Sequence, residues 1–168
     1  MKSKASNSCT MGLFTIYLFI LIWIILFKLT LDFSQLDYLR SINLIPLSNS
    51  TITNGRIDVK EIIYNVLVFI PVGIYITMLK PEWALGKKII PCFLISLSFE
   101  VLQFILAIGA SDITDLMGNT LGGIIGIGIF YILKKIFKTQ TVKFLNILAL
   151  ISTIIIVILL TLLIVINV

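Results

Sequence analysis

Five stretches of nearly continuous apolar sequence constrain this chain more than any motif does: residues 11–31, 62–79, 89–108, 116–133 and 144–166. A helix rises about 1.5 Å per residue, so each stretch approaches the roughly 30 Å needed to cross bilayer hydrocarbon. A chain of 168 residues has no room for a soluble core that could bury all five. Composition agrees: mean hydropathy is +1.14, and 12% of residues are charged, about half the share of a soluble domain. In lipid each backbone N–H and C=O must find its partner inside the segment, which favours helices. The expected fold class is therefore all-α, a multi-pass transmembrane helix bundle of five spans.

The charges outside these stretches set an orientation. Lys2 and Lys4 precede the first span, which has no small-residue cleavage site after it and reads as a retained signal anchor. With Lys80, Lys87 and Lys88 in the second loop, and Lys134, Lys135, Lys138 and Lys143 in the fourth, they make nine cations on one side; Arg40, Arg56 and Lys60 make three on the other. Because cytoplasmic loops carry the excess, the amino terminus is expected inside and the carboxyl terminus outside a cell membrane. Three parts follow: a cytoplasmic amino terminus with its anchor (1–31), a core of one outer loop and three spans (32–133), and a basic loop with a final span (134–168). Cys9 and Cys92 fall on the reducing side, so no disulfide is expected.

Several chemistries drop out on residue types alone. The chain has no His and two Cys, so neither a His-dependent nucleophile nor the usual zinc ligand sets can be assembled. No catalytic residue, metal ligand or cofactor is assigned. The net charge of +5 is dispersed between spans rather than gathered on one face, and nucleic acid is not an expected partner. The partner that composition does imply is the lipid bilayer.

Polar residues inside the spans carry the functional information, since a charge at mid-bilayer costs on the order of 2.5 to 3.5 kcal/mol on insertion scales. Glu100 is the one acid within a span; Ser96 and Gln103 share its helical face. Counted back from the outer end, Glu100 lies roughly 12 Å and Gln103 roughly 8 Å deep. Asn65 and Asn119 lie about one turn down their own spans, and Asp112 and Asp115 lie in the short loop before the fourth span. Asn65, Glu100, Gln103, Asp112, Asp115 and Asn119 should thus share one outer layer. Asp112 or Ser111 could instead serve only to cap the fourth helix, and the two Asn residues could be interhelical glue.

Other signals concern shape. Gly118, Gly122 and Gly126 recur every four residues and bare one face of the fourth span for close packing. Self-association of two copies through that face is an expectation. Pro71 with Gly73 should loosen or kink the second span and free a carbonyl that needs a donor. In the outer loop Asn54-Gly55 is a turn signal, and Asp58 three residues before Glu61 resembles a capping box that starts the second helix early.

The segments Asn43-Leu44-Ile45-Pro46, Asn65 through Pro71 to Gly73, Glu100-Val101-Leu102-Gln103, and Ser111-Asp112-Ile113-Thr114-Asp115 with Asn119 and Gly122 occur in this order. In this the chain resembles the VanZ-like family over about residues 43–126. The resemblance implies a small multi-spanning bacterial membrane protein, in a family whose founding member is tied to teicoplanin resistance without a settled activity. It points to Asn65, Pro71, Gly73, Glu100, Gln103, Asp112, Asp115, Asn119 and Gly122, with Asn43 and Pro46 as structural members of the motif set. Many relatives carry an Arg shortly before the acidic pair, where this chain has Ala110 and Ser111.

Three functions compete. The first is a non-enzymatic envelope protein that binds a lipid-linked or cell-wall component, or a glycopeptide antibiotic, at the outer leaflet. The second is a metal-dependent membrane hydrolase or transferase using the three carboxylates. The third is a small proton-coupled or lipid transporter in which Glu100 changes protonation.

Overall fold

A computed structural model of the chain describes residues 4–26, 39–47, 52–53, 56–57 and 59–167. Five helices dominate: α1 (Lys4–Leu26), α2 (Val59–Leu79), α3 (Leu85–Leu106), α4 (Ile113–Phe137) and α5 (Thr141–Asn167). Four helical stretches are long and apolar enough to cross a membrane, the last being residues 113–159. A 3-10 turn at Lys138–Gln140 divides that stretch. There Lys138 takes a left-handed φ of 49°, and the rings of Phe137 and Phe144 stack at 4.3 Å as the chain turns.

The glycine face of α4 organises the bundle by parallel packing against α2. Gly118 lies beside Asn65 and Ile62, Gly122 beside Val66 and Phe69, and Gly126 beside Ile70 and Ile74. Each advance of four residues on α4 meets an advance of four on α2. The contact is between backbones: a Cβ on Gly122 would lie 2.1 Å from the Val66 carbonyl oxygen, and one on Gly73 would lie 1.9 Å from that of Gly123. Within the chain, the face of Gly118, Gly122 and Gly126 is covered by α2.

The other helices pack around this pair in alternating directions. α3 runs antiparallel to α4, with Cys92 against Gly123 and Ser96 bonded to Asn119. α1 runs antiparallel to α2, placing Leu13 with Tyr75 and Met78, and Leu21 and Leu26 with Phe69, Val72 and Phe99. α5 doubles back: Leu145 joins the Met78 cluster, while Thr153 and Ile156 reach a cavity shared with Pro71 and Ile20. The outward faces stay apolar and exposed, as with Leu94, Leu97, Val101 and Ile105 of α3, which suits a membrane protein.

The helix bounds differ from the apolar runs, and the chain is not wholly α. α2 begins at Val59, early as expected from the acidic pair; Asp58 itself lies outside the described residues. α3 ends at Leu106 rather than at residue 108, because Ala107 adopts φ 54° and its N–H closes on the carbonyls of Gln103 and Phe104. The residues read as a loop before the fourth span form a strand, β4 (Ile108–Asp112), paired in parallel with β1 (Leu39–Asn43). α4 therefore starts at Ile113, one turn earlier than the apolar run. A second small pair, β2 (Ile52–Thr53) with β3 (Arg56–Ile57), brackets Asn54-Gly55, which lie outside the described residues. Pro71 does not break α2, which continues to Leu79. The Tyr17 hydroxyl of α1 donates to the Val68 carbonyl, the neighbour of the Leu67 carbonyl that Pro71 leaves without its helical donor.

Substitution tests the backbone contact directly. Gly73→Ala should destabilise the bundle by about 1–3 kcal/mol through overpacking. Gly128→Ala, whose added Cβ meets nothing within 4 Å, should stay within about 0.5 kcal/mol of the parent. Thermal unfolding of the two variants in mild detergent compares them.

Candidate functional site

The ends of α1 and α3, the starts of α2 and α4, and the β1–β4 pair meet at one end of the bundle. Glu100 stands on α3 nearly two turns before its end and is 7% exposed. One carboxylate oxygen, Oε2, accepts from the Asp112 backbone N–H at 2.8 Å, and its main-chain carbonyl accepts from the Ser111 hydroxyl at 2.6 Å. The left-handed Ala107 turns the chain back, so β4 returns along α3 and delivers both donors. The buried carboxylate thus finds its donor twelve residues ahead, and the main-chain carbonyl of the same residue finds one eleven ahead.

Asp112 is the second hub. Its Oδ1 accepts from the Thr114 N–H at 2.7 Å, capping α4, while Oδ2 accepts from the Asn43 amide at 2.9 Å. Asn43 ends β1 opposite Asp112 in the strand register, and its own Oδ1 accepts from the Ile45 N–H at 3.2 Å, turning the chain toward Pro46. The Leu47 N–H then donates to the Thr114 hydroxyl at 3.0 Å. The capping role for Asp112 is therefore real, and it coexists with the tie to Glu100.

The remaining polar residues of the layer form separate pairs. Asn65 of α2 donates to Asp115 Oδ1 of α4 at 2.6 Å, on the side where Gly118 lets the helices meet. Asn119, 1% exposed, donates to the Ser96 hydroxyl at 3.0 Å. Gln103 reaches away from the acids and donates to the Ile25 carbonyl of α1 at 3.3 Å. The side-chain oxygens of Gln103 and Asn119 are buried without a hydrogen-bond partner. All six residues share the same end, but as a Glu100–Asp112–Asn43 network and three pairs rather than one cluster. Among the described residues no group of three acids or thiols is placed to hold a metal ion.

A cavity of about 250 Å³ opens beside the network. Leu97, Val101 and Phe104 of α3, Ile113 and Leu116 of α4, and Ile42 and Leu44 from the β1 segment form its apolar wall; Asn43, Glu100, Ser111 and Asp112 supply its polar patch. It can take an apolar chain with a polar end. The side chains of Arg40 and Arg56, weighed as cations that could fold over the acids, lie outside the described residues.

Sequence reasoning missed Lys88. Counted among the loop cations, it is fully buried at the start of α3, where Nζ donates to the Tyr131 hydroxyl at 2.7 Å and the Pro81 carbonyl at 3.1 Å. The signal was present, since Lys88, Cys92, Ser96 and Glu100 fall every four residues along one face of α3.

Comparison with known proteins places these residues in context. Residues 14–134 match the family model described as VanZ/LLP1. The chain is 39% identical over 126 residues to Protein VanZ of Enterococcus faecium, covering 74% of each chain. No solved structure matches it. The family match reaches from α1 almost to the end of α4, further in both directions than the motifs alone.

Asp112→Ala removes a helix cap and the bond from the Asn43 amide; the two losses should cost about 2–3 kcal/mol together. Asp112→Asn, which keeps an oxygen for the Thr114 N–H, should cost less than half of that. Thermal unfolding in detergent measures both.

Proposed function

Because the chain belongs to the VanZ/LLP1 family, we propose that it is a multi-pass protein of the bacterial cell membrane that binds an amphipathic envelope component at the outer leaflet. The ligand class is a lipid-linked cell-wall component or a glycopeptide antibiotic of the teicoplanin type, and binding lowers sensitivity to that antibiotic. The observation that carries this reading is the cavity beside Glu100, an apolar slot with a fixed polar patch at the end of the bundle. Such slots, mostly apolar with a few convergent polar groups, are how small ligands are held.

The topology follows from the same reading. The five helices each cross once, so the 3-10 turn with Lys134, Lys135, Lys138 and Lys143 around it lies in the cytoplasm, and the Glu100–Asp112 network lies outside. The alternating directions of α1 to α5 support five crossings, with the amino terminus inside and the carboxyl terminus outside. A reporter active only outside the membrane, fused after Val168, should be active. The same reporter placed between Leu79 and Leu85 should be silent.

Mutation separates binding from scaffold. Glu100→Gln keeps an oxygen for the Asp112 N–H, and Asp115→Asn keeps one for Asn65, so both variants should accumulate in the membrane at parental levels. Each should lose the resistance phenotype in a glycopeptide-sensitive host, measured as the inhibitory concentration of teicoplanin. Parental resistance in both variants would overturn the proposal.

A further inference from the structure

The hydrogen-bond inventory of the cavity specifies the charge of what enters it. Four lining residues are polar, and three of their donor groups are turned back onto the protein. The Asn43 amide bonds to Asp112, the Ser111 hydroxyl to the Glu100 main-chain carbonyl, and the Asp112 N–H to Glu100 Oε2. The remaining lining is apolar, and among the described residues no Lys or Arg belongs to it. What the cavity offers is an acceptor. Glu100 is more than nine-tenths buried; its Oε1 carries no hydrogen bond among the described residues, and the residue lines the cavity. The surrounding layer shows the same surplus of acceptors, since the buried oxygens of Gln103 and Asn119 also lack donors.

An anionic head group would meet the Glu100 carboxyl group, with Asp112 and Asp115 close behind it. A head group rich in donors and positively charged is the complement: it satisfies Glu100 Oε1 and offsets the negative charge concentrated by Glu100, Asp112 and Asp115 at a low-dielectric site. The volume of about 250 Å³ and the wall of Leu97, Val101, Phe104 and Leu116 suit an alkyl or acyl chain. Resting on the proposed role of this cavity, we propose that its ligand is an amphipath with a primary ammonium head, docked on Glu100 with its chain between α3, α4 and the β1 segment.

The probe is dodecylamine bearing a diazirine on its chain, photolysed with the full-length protein in uncharged detergent, with the labelled residues mapped by mass spectrometry. Labelling is expected at Leu97, Val101 or Phe104. Unlabelled dodecylamine should compete at least about tenfold better than N-dodecylacetamide or dodecyl phosphate. Glu100→Gln should weaken labelling about tenfold, and Val101→Trp, which fills the slot from an exposed position, should abolish it without altering the unfolding temperature. Equal competition by the acetamide or the phosphate, or unchanged labelling of Glu100→Gln, would overturn the ammonium assignment. Resistance distinguishes this from failure of the broader reading. If Val101→Trp loses resistance while the amine shows no preference, the cavity functions but its ligand is not a primary ammonium. If resistance persists with the cavity filled, the functional reading fails whatever the amine does.

Discussion

Backbone contact between α2 and α4 sets the geometry on which the rest of the molecule depends. In a membrane, lipid chains compete equally with apolar side chains, so helices associate through close packing and hydrogen bonds rather than expulsion of water. Gly73, Gly122 and Gly126 let carbonyl groups approach where any Cβ would collide. That approach fixes the relative height of two parallel helices. Asn65 consequently meets Asp115, and α3, seated with Cys92 on Gly123, presents Ser96 to Asn119 one turn further on. The polar layer is a product of this packing.

Satisfying the polar groups then requires departing from helix. Glu100 lacks a donor on its own helix or on α2, and the chain supplies one by ending α3 at Ala107 and returning as β4. A strand leaves its own N–H and C=O groups in need of partners; β1 meets that need in parallel register, bringing Asn43 to Asp112. The strand pair, the cap of α4 and the bond to Glu100 form one connected solution. Its members fall far apart in sequence, yet each satisfies a group that another element would have left buried and unpaired.

This division explains what the sequence made legible. Five apolar runs announced five helices, because in lipid every span must satisfy its own backbone. Glycines spaced by four announced a close contact, and the acids and amides announced a shared level. The partner of the glycine face was not legible: the same spacing serves contact within a chain and between chains, and only tertiary packing chooses α2. Nor was the β1–β4 pair, since Ile108 continues an apolar run and nothing in Ile-Gly-Ala-Ser-Asp distinguishes an edge of helix from a strand. The left-handed turn at Ala107 also had no Gly or Asn to mark it. Lys88 was hidden for a different reason: counted as a charge near a loop, it served the orientation argument, although its place on the stripe through Cys92, Ser96 and Glu100 assigned it to the interior.

That stripe ties α3 to α4 at three heights. Near one end the Lys88 ammonium donates to Tyr131 and sits 5.1 Å from its ring centre, a contact that keeps a buried cation hydrogen-bonded while its aliphatic stem packs. In the middle Cys92 fills the hollow over Gly123, and Ser96 accepts from Asn119. At the far end Glu100 holds the strand that caps α4. A side chain positioned by helices locked at several points is more closely fixed than one carried on a loop. The carboxyl group at the cavity is therefore held by the bundle as a whole. The wall made by Leu97, Val101 and Leu116 shares this rigidity, because those residues stand on the same two helices between the Ser96 and Asp112 ties.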